Sequence, residues 1–524
     1  MKHSIRSLVA LVSCAVVILV SGCSGSGSSP DPSAAATSKD TLRIIAGSEV
    51  KDMLPILQDA EKKIGVKTVV DYVGTLDGAE QLADGGMDGR YDATWFPSNK
   101  YLSLLDGATD KVKSESKIMT SPVALGLRND AAARLGWDSA APTWTQIADA
   151  AKSGKLTYGM SNPASSNSGF STLVSVATAE ADTGNALSDA DVTKVTPELT
   201  NFFKGQRLTS GSSGWLAEKF QENESVADGI FNYESVIKTM PNMTAVVPSD
   251  GTVISDYPLT FLKSAPADKE DAYKKLVAWL LEPDQQNRIA SETHRRTVTA
   301  GTGNQNGAVV FDLPFPNRLQ TVQELITAYV TTIRKPGRTY FLLDNSGSMS
   351  GDRLNSLKTA LGNLTGNDTS TTGRFAAFQP RETITLQPFN DQLLTPATVT
   401  VDPKNTGASM SQLKSTTDQM KATGGTAIYG ALIDAYRKAE SSYDKDTFTS
   451  IVLMSDGQNT DGPSAQEFLD VVNSSQVTIP VFTVLFGNAS PDELHQIAER
   501  TGGRVFDARE GNLSAVFKEI RGYQ

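Results

Sequence analysis

The run YFLLDNSGS, Tyr340–Ser348, sets four apolar residues in a row and ends them on Asp344, with Ser346, Gly347 and Ser348 directly behind. A strand with no polar alternation is one whose two faces are both covered, the mark of a sheet sandwiched between helices. Such sheets bind their ligands outside the carboxyl ends of the strands. A second run of the same kind, SIVLMSDG at Ser450–Gly457, ends on Asp456, and Thr423-Gly424-Gly425-Thr426 precedes a helical stretch. Three loops thus deliver carboxylate and hydroxyl oxygens toward one sheet edge. Around them, strands are expected near Tyr340–Leu343, Arg374–Phe378, Thr383–Pro388, Ser450–Ser455, Val481–Phe486 and Arg504–Phe506. Helices are expected near Arg353–Leu364, Ala427–Ala439, Ala465–Asn473, Asp492–Arg500 and Leu513–Arg521, giving a doubly wound α/β sheet.

A lone Asp-x-Ser-x-Ser is a weak signal, and its serines could simply cap the helix after Gly351. With all three loops present, residues 338–524 resemble the von Willebrand factor A (VWA) domain, a Rossmann-like fold. The resemblance implies a metal-ion-dependent adhesion site, MIDAS, in which Asp344, Ser346, Ser348, Thr426 and Asp456 hold the cation. All five donors are oxygens, as Mg²⁺ requires, with Mn²⁺ or Ca²⁺ as alternatives, and a remaining position would take a carboxylate from a protein partner. Gly347, Gly424 and Gly425 are expected to serve the tight loops, and Asp352, Asp461 and Ser455 to stay outside the ligand set. The segment from Asp456 is a poor EF-hand, since Asp461 replaces the turn glycine.

Upstream, β-rich and helical runs alternate from Thr41: TLRIIAG, MLPILQDAEKKIG, VKTVVDYVG, LDGAEQLADGG and YDATWF. The strands SPVALGLRN (Ser121–Asn129) and KLTYGMSNP (Lys155–Pro163) start a second lobe. This order resembles the type II periplasmic solute-binding proteins, two α/β lobes joined by crossing strands. The phrases carrying it are Ala46-Gly47-Ser48, Trp95-Phe96-Pro97-Ser98, Asn162 to Gly169 and Tyr233-Glu234-Ser235, over about Thr41–Ser291. It implies a cleft ligand near Ser48, Ser98, Ser166, Ser168 and Glu234, a small anionic or polar solute. Asn162–Gly169 also precedes a helix, whose free N–H groups suit an anion or a simple serine cap. Trp95 and Trp215 could line that cleft or merely pack. His294-Arg295-Arg296 reads as an exposed, solvated basic turn, and Thr302–Gly307 as a loop. Leu319–Ile333 has helical apolar spacing at Leu319, Val322, Ile326, Tyr329 and Ile333. It is expected to pack on the first module before Arg334-Lys335-Pro336-Gly337 breaks the helix.

The first residues read as an export signal: Lys2 and Arg6, then the apolar run Ser7–Val20, too short to span a bilayer. Leu19-Val20-Ser21-Gly22-Cys23 resembles the bacterial lipobox, which implies cleavage before Cys23 and diacylation of that cysteine. Four segments are therefore expected: a signal peptide at 1–22, a lipid anchor and flexible linker at 23–40, a solute-binding-like module with its connecting helix at 41–337, and a VWA-like module at 338–524. The linker, without large apolar residues, would reach about 20–25 Å as a Gly/Ser coil.

The 524 residues carry a net charge of −11, against a phosphate-tracking nucleic-acid binder, and hold only three histidines and two cysteines. Cys14 would leave with the signal and Cys23 would carry lipid. Disulfides, thiolate catalysis and cysteine-rich zinc sites are then excluded. No Gly-x-Ser-x-Gly elbow occurs and Leu156 spoils the only phosphate-loop-like Gly154-Lys155, so no enzyme is expected. The function implied is that of a membrane-anchored lipoprotein on the extracytoplasmic face, which takes a protein ligand through its VWA cation and senses through its solute-binding-like module. The alternative is a transporter's solute receptor with an accessory VWA docking domain.

Overall fold

In the computed structural model, residues 38–299, 309–487, 491–509 and 512–524 are described. The expected signal peptide, Cys23, most of the linker and the Thr302–Gly307 loop lie outside them. The strands of the first module are β1 (Thr41–Ala46), β2 (Lys67–Tyr72), β3 (Ala93–Trp95), β4 (Val112–Lys117), β5 (Met119–Arg128) and β6 (Tyr158–Ser161). They continue with β7 (Gln206–Ser210), β8 (Gly229–Tyr233), β9 (Met243–Val246), β10 (Ile254–Ser255), β11 (Pro258–Leu262) and β12 (Arg296–Thr297).

Lobe 1 is a five-stranded sheet ordered β2-β1-β3-β11-β4, parallel at β2-β1-β3 and antiparallel around β11. Lobe 2 runs β10-β5-β8-β6-β7, with β9 and β12 also paired to β5. The chain passes from β4 to β5 through buried Ile118 and returns from β10 to β11 through Asp256 and Tyr257. Tyr257 sits at φ 40°, a backbone region that a bulky side chain occupies only when its surroundings hold it there. Local signals set many helix ends: Pro55 opens Leu54–Ile64 and Gly65, at φ 70°, closes it, while Thr143 and Gln146 form a capping box on Trp144–Lys152.

Arginines 295 and 296 overturn the expected exposed turn. Arg295 has no exposed surface; it bonds Asp52 at 2.5 Å and the Glu49 carbonyl at 3.0 Å, both in lobe 1. Arg296 points to lobe 2, where it forks onto Glu234 at 2.8 and 3.1 Å. A guanidinium tolerates burial only with paired acceptors, and these two neighbours find theirs on opposite lobes.

Leu319–Ala328 is helical and continues as a π-helical turn, Tyr329–Ile333. Its stripe is buried where the spacing places it: Val322, Ile326, Tyr329 and Ile333 join the first module's core, with Tyr329 against Phe203 at 5.1 Å.

The second module adds β13 (Gly337–Asp344), β14 (Thr383–Phe389), β15 (Ala397–Thr400), β16 (Phe448–Ser455), β17 (Val481–Leu485) and β18 (Val505–Asp507), in sheet order β15-β14-β13-β16-β17-β18. All pairs are parallel except β14 with β15. Alternate residues of the central strands enter different cores, Phe341, Leu343, Val452 and Met454 on one face and Leu342, Ile451 and Leu453 on the other. That is the two-sided burial the apolar runs imply. Two expectations fail or fall short. Arg374–Phe378 is not a strand; Ser370 caps a helix at Thr371–Ala376 by accepting from the Gly373 N–H, and that local bond outweighs the aromatic, β-favouring composition. The edge strand β15 and the helix Thr406–Gln419 went unread, because their sequences are polar with few buried positions.

A buried ion triad ties the module's ends together. Glu382, just before β14, lies between Arg334 and Arg521, all at most 5 % exposed. Arg521 reaches the Glu382 oxygens at 2.8 and 2.7 Å, while Arg334 also bonds the Gln524 carbonyl at 2.9 Å. Burial raises the Glu382 carboxyl, but Arg521 and Arg334 reverse this and hold it below the ordinary range. Removing one partner from such a cluster strands buried charge. Glu382→Gln should cost about 3–5 kcal/mol at neutral pH in urea denaturation. With its folded pKa depressed, the glutamate contributes fully above the ordinary value of about 4.3 and loses its contribution as pH falls through the lower folded value, so the gap between wild type and variant should narrow in acid. A gap independent of pH would contradict the ionised triad.

Candidate functional site

The topology puts a crevice between β13 and β16. From β13 the chain turns first toward β14 and β15, then returns to the other side for β16, so the winding reverses between these two strands. Ligands of doubly wound sheets bind at such a reversal. Leu343 pairs with Met454, which leaves Asp344 and Asp456 at neighbouring strand ends.

Asp344 is fully buried and accepts from the Ser346 N–H at 2.8 Å and the Ser455 hydroxyl at 2.5 Å. Burial, then neighbouring Asp456, raises its carboxyl above the ordinary value against those two bonds. The Ser346 and Ser348 hydroxyls lie 2.9 Å apart, and Ser348 donates to Asp456 Oδ1 at 2.7 Å. Neither serine caps the following helix, Asp352–Gly362, whose N-cap is Gly351. Thr426 comes from the second loop: a Cβ added at Gly457 would stand 3.9 Å from Ser348 Oγ and 4.0 Å from Thr426 Oγ1. The Thr426 N–H donates to Thr460 Oγ1 at 2.9 Å and to Asp461 at 3.2 Å, so Asp461 steers the threonine by its backbone. The five residues Asp344, Ser346, Ser348, Thr426 and Asp456 therefore share one crevice. Their donor atoms are all oxygens, two of them on carboxylates, a set that fits a hard divalent cation. Ser348 is exposed, so the cluster opens to solvent.

Sequence reasoning missed Arg353. Its guanidinium bonds Asp456 Oδ2 from the helix behind the first loop. Gly487, at φ 55°, makes room: a side chain there would meet Asp456 Cβ at 2.8 Å and the guanidinium carbon of Arg353 at 3.1 Å. The place of Arg353, five residues after Ser348 and second in the helix Asp352–Gly362, was the available signal.

In the first module, Ser166 and Ser168 lie 3.3 Å apart in a buried hydroxyl chain, in which Ser168 also reaches Ser161 at 2.7 Å and Ser213 at 3.1 Å. Ser98 accepts from the Lys100 N–H at 3.1 Å, and Ser48 opens the short turn Ser48–Met53. Among the described residues no hydrogen bond links Ser48 or Ser98 to the hydroxyl chain. Glu234 is engaged by Arg296 and by Lys238 at 2.8 Å. Burial works to raise its carboxyl, and these cations pull it below the ordinary value instead. Trp95 is buried in the lobe 1 core with its indole N–H on the Tyr257 carbonyl at 3.1 Å, so it packs rather than lining a cleft.

Between the lobes, Glu49 is more unusual. It is buried next to Gly47, and its Oε1 has no protein hydrogen-bond partner, nor do Tyr257 Oη and Arg295 Nε. Burial lifts its carboxyl to about 7, against a backbone bond and Arg295. An acid with a raised folded pKa takes its proton more readily when folded, so its presence lowers stability as pH climbs from about 4.5 through 7. Glu49→Gln should therefore add roughly 1–3 kcal/mol at pH 8 and almost nothing at pH 4.5, read by urea denaturation at both. An equal gain at both pH values would show that the group titrates normally.

Comparison with known families agrees with these two architectures. The family described as bacterial extracellular solute-binding protein matches residues 42–292, and the von Willebrand factor type A domain matches residues 339–519. No curated protein matches the chain. Among solved structures, the ferric binding protein from Campylobacter jejuni is 12% identical and covers 55% of this chain and 98% of its own, with a TM-score of 0.41. A periplasmic thiamin binding protein is 11% identical over 55% of this chain and 96% of its own, TM-score 0.42. The von Willebrand factor type A protein from Catenulispora acidiphila is 18% identical over 37% of this chain and 43% of its own, TM-score 0.30. With each family model falling on its own α/β unit, the chain is a bacterial extracellular solute-binding domain followed by a von Willebrand factor type A domain.

Proposed function

We propose that this chain is an extracytoplasmic binding protein, anchored by lipid at Cys23, whose VWA domain takes a protein partner through a divalent cation. The single observation that supports it most is the convergence of three loops in the β13/β16 crevice. There Asp344, Ser346, Ser348, Thr426 and Asp456 would hold Mg²⁺, or Mn²⁺ or Ca²⁺, with the two carboxylates supplying the charge. When bound, the ion would offer an open position to a carboxylate of the partner. The chain's own residues prepare that position. Ser455 and the Ser346 N–H fix Asp344, Asp461 and Thr460 fix Thr426 through its N–H, and Arg353 holds Asp456 in line.

The solute-binding domain serves in this reading as a recognition unit for a small polar or anionic solute, served by the buried hydroxyls of Ser166 and Ser168. Both matched families are families of binding domains. Among the described residues no helix is long and apolar enough to cross a membrane.

The reading predicts metal-dependent capture. Full-length chain in native membranes should retain a partner in Mg²⁺ and lose it in a chelator, and Asp344→Ala should lose it in both. Ser48→Ala, in the other domain, should behave as wild type. The same variants should differ in thermal stability: Mg²⁺ should raise the melting temperature of wild type and Ser48→Ala by a few degrees and leave Asp344→Ala unmoved. A metal response that survives Asp344→Ala would remove the site from this crevice.

A further inference from the structure

The seam between the two lobes is covered by this chain's own VWA domain. The loop Asn162–Ser166 of lobe 2 closes on Gly74 of lobe 1, where a side chain would stand 2.7 Å from the Ser165 carbonyl oxygen. Over this seam lies the end of the VWA helix Leu513–Arg521 with Gly522 and Tyr523.

One end of that segment grips lobe 1. Lys518 donates to Asp77 at 2.6 Å and to Thr372 of its own domain at 2.6 Å. Thr372 in turn donates to Glu80 through its N–H at 3.0 Å and its hydroxyl at 2.9 Å. Asp77 and Glu80 share the lobe 1 helix Thr75–Ala83, and Glu80, itself buried, is fixed from behind by the Tyr101 hydroxyl at 2.9 Å.

The other end grips lobe 2. Asn162 Nδ2 donates to the Arg521 carbonyl at 3.5 Å. The Tyr523 ring stands edge-on to Trp215 at 4.8 Å, both almost wholly buried. Two glycines let the surfaces meet: a Cβ at Gly211 would lie 2.4 Å from Tyr523, and one at Gly522 would lie 2.9 Å from Ser165 Oγ. This also settles Trp215, which serves an interdomain contact rather than an open cleft wall.

We propose that the cleft-mouth face of the solute-binding domain is a docking surface for residues 518–523 of the VWA domain, and that this strap holds the two lobes closed. Lobes that swing apart about Ile118 and Tyr257 would carry Asp77 away from Asn162 and Trp215, and a single helix end cannot follow both. Opening the cleft and releasing the strap are then one event, so solute exchange is coupled to the VWA domain's hold on lobe 1. The strap stands on interdomain contacts and does not depend on a cation in the β13/β16 crevice, while its link to solute exchange rests on the solute-binding reading above.

Hydrogen–deuterium exchange on the full chain tests it, with two variants acting from opposite ends. Gly211→Ala drives a methyl into Tyr523 from lobe 2, at a glycine whose backbone does not lie at positive φ; Lys518→Glu sets like charge against Asp77 at lobe 1. In each, amides of both lobes at the seam, residues 73–80 and 162–168, should exchange at least about tenfold faster, while strand residues 340–344 and 451–455 keep the wild-type rate. Unchanged exchange at the seam in both variants would overturn the proposal. So would acceleration confined to the substituted lobe, or equal acceleration in the VWA strands, because the contact would then hold a single lobe or the VWA fold rather than the cleft.

Discussion

Glu382 between Arg334 and Arg521 is the constraint from which the arrangement of the two domains follows. Three buried charges survive in a core only when each is answered, so the three segments that carry them must arrive together. Arg334 caps the helical segment that is built into the solute-binding domain, Glu382 directly precedes β14 of the VWA sheet, and Arg521 ends the last VWA helix. Fixing them to one another orients the whole VWA domain against its neighbour. It also decides where Gly522 and Tyr523 point, since they follow Arg521 directly and end against Gly211 and Trp215.

The crossing from one domain to the next is therefore not a hinge. Val322, Ile326 and Tyr329 are part of the first domain's core, and within five residues the same segment has supplied a partner to the second. The individual surface pairs between the domains, such as Lys518 with Asp77, are partly exposed and weak by themselves. Their effect comes from the triad, which holds the two surfaces in register so that the pairs and the Tyr523–Trp215 contact form without further loss of freedom.

What was legible in the sequence was what is local. The apolar runs ending in Asp344 and Asp456 specify both the burial of their strands and the crevice at their ends, because a period of burial and a strand terminus are read over fewer than ten residues. The stripe on Leu319–Ile333 was legible for the same reason. Arg295 and Arg296 were not: their acceptors, Asp52 and Glu234, lie 243 and 62 positions away, and a basic pair in a turn gives no sign of them. Nor was the strap, since its contacts join Lys518 to Asp77 and Arg521 to Asn162 across 441 and 359 positions. The stretch Arg374–Phe378 failed in the opposite sense, its aromatic composition read as a strand where the serine cap at Ser370 begins a helix.

The β13/β16 crevice and the seam between the lobes thus belong to one body, with the carboxyl edge of the VWA sheet held by the same framework that presses Tyr523 onto lobe 2. Calorimetric unfolding of the full chain tests that claim most directly. A body joined by a buried triad and a strap should melt in one transition, with calorimetric and van't Hoff enthalpies in agreement. Two independent transitions, each insensitive to Glu382→Gln, would show that the domains fold and act separately and would contradict the account.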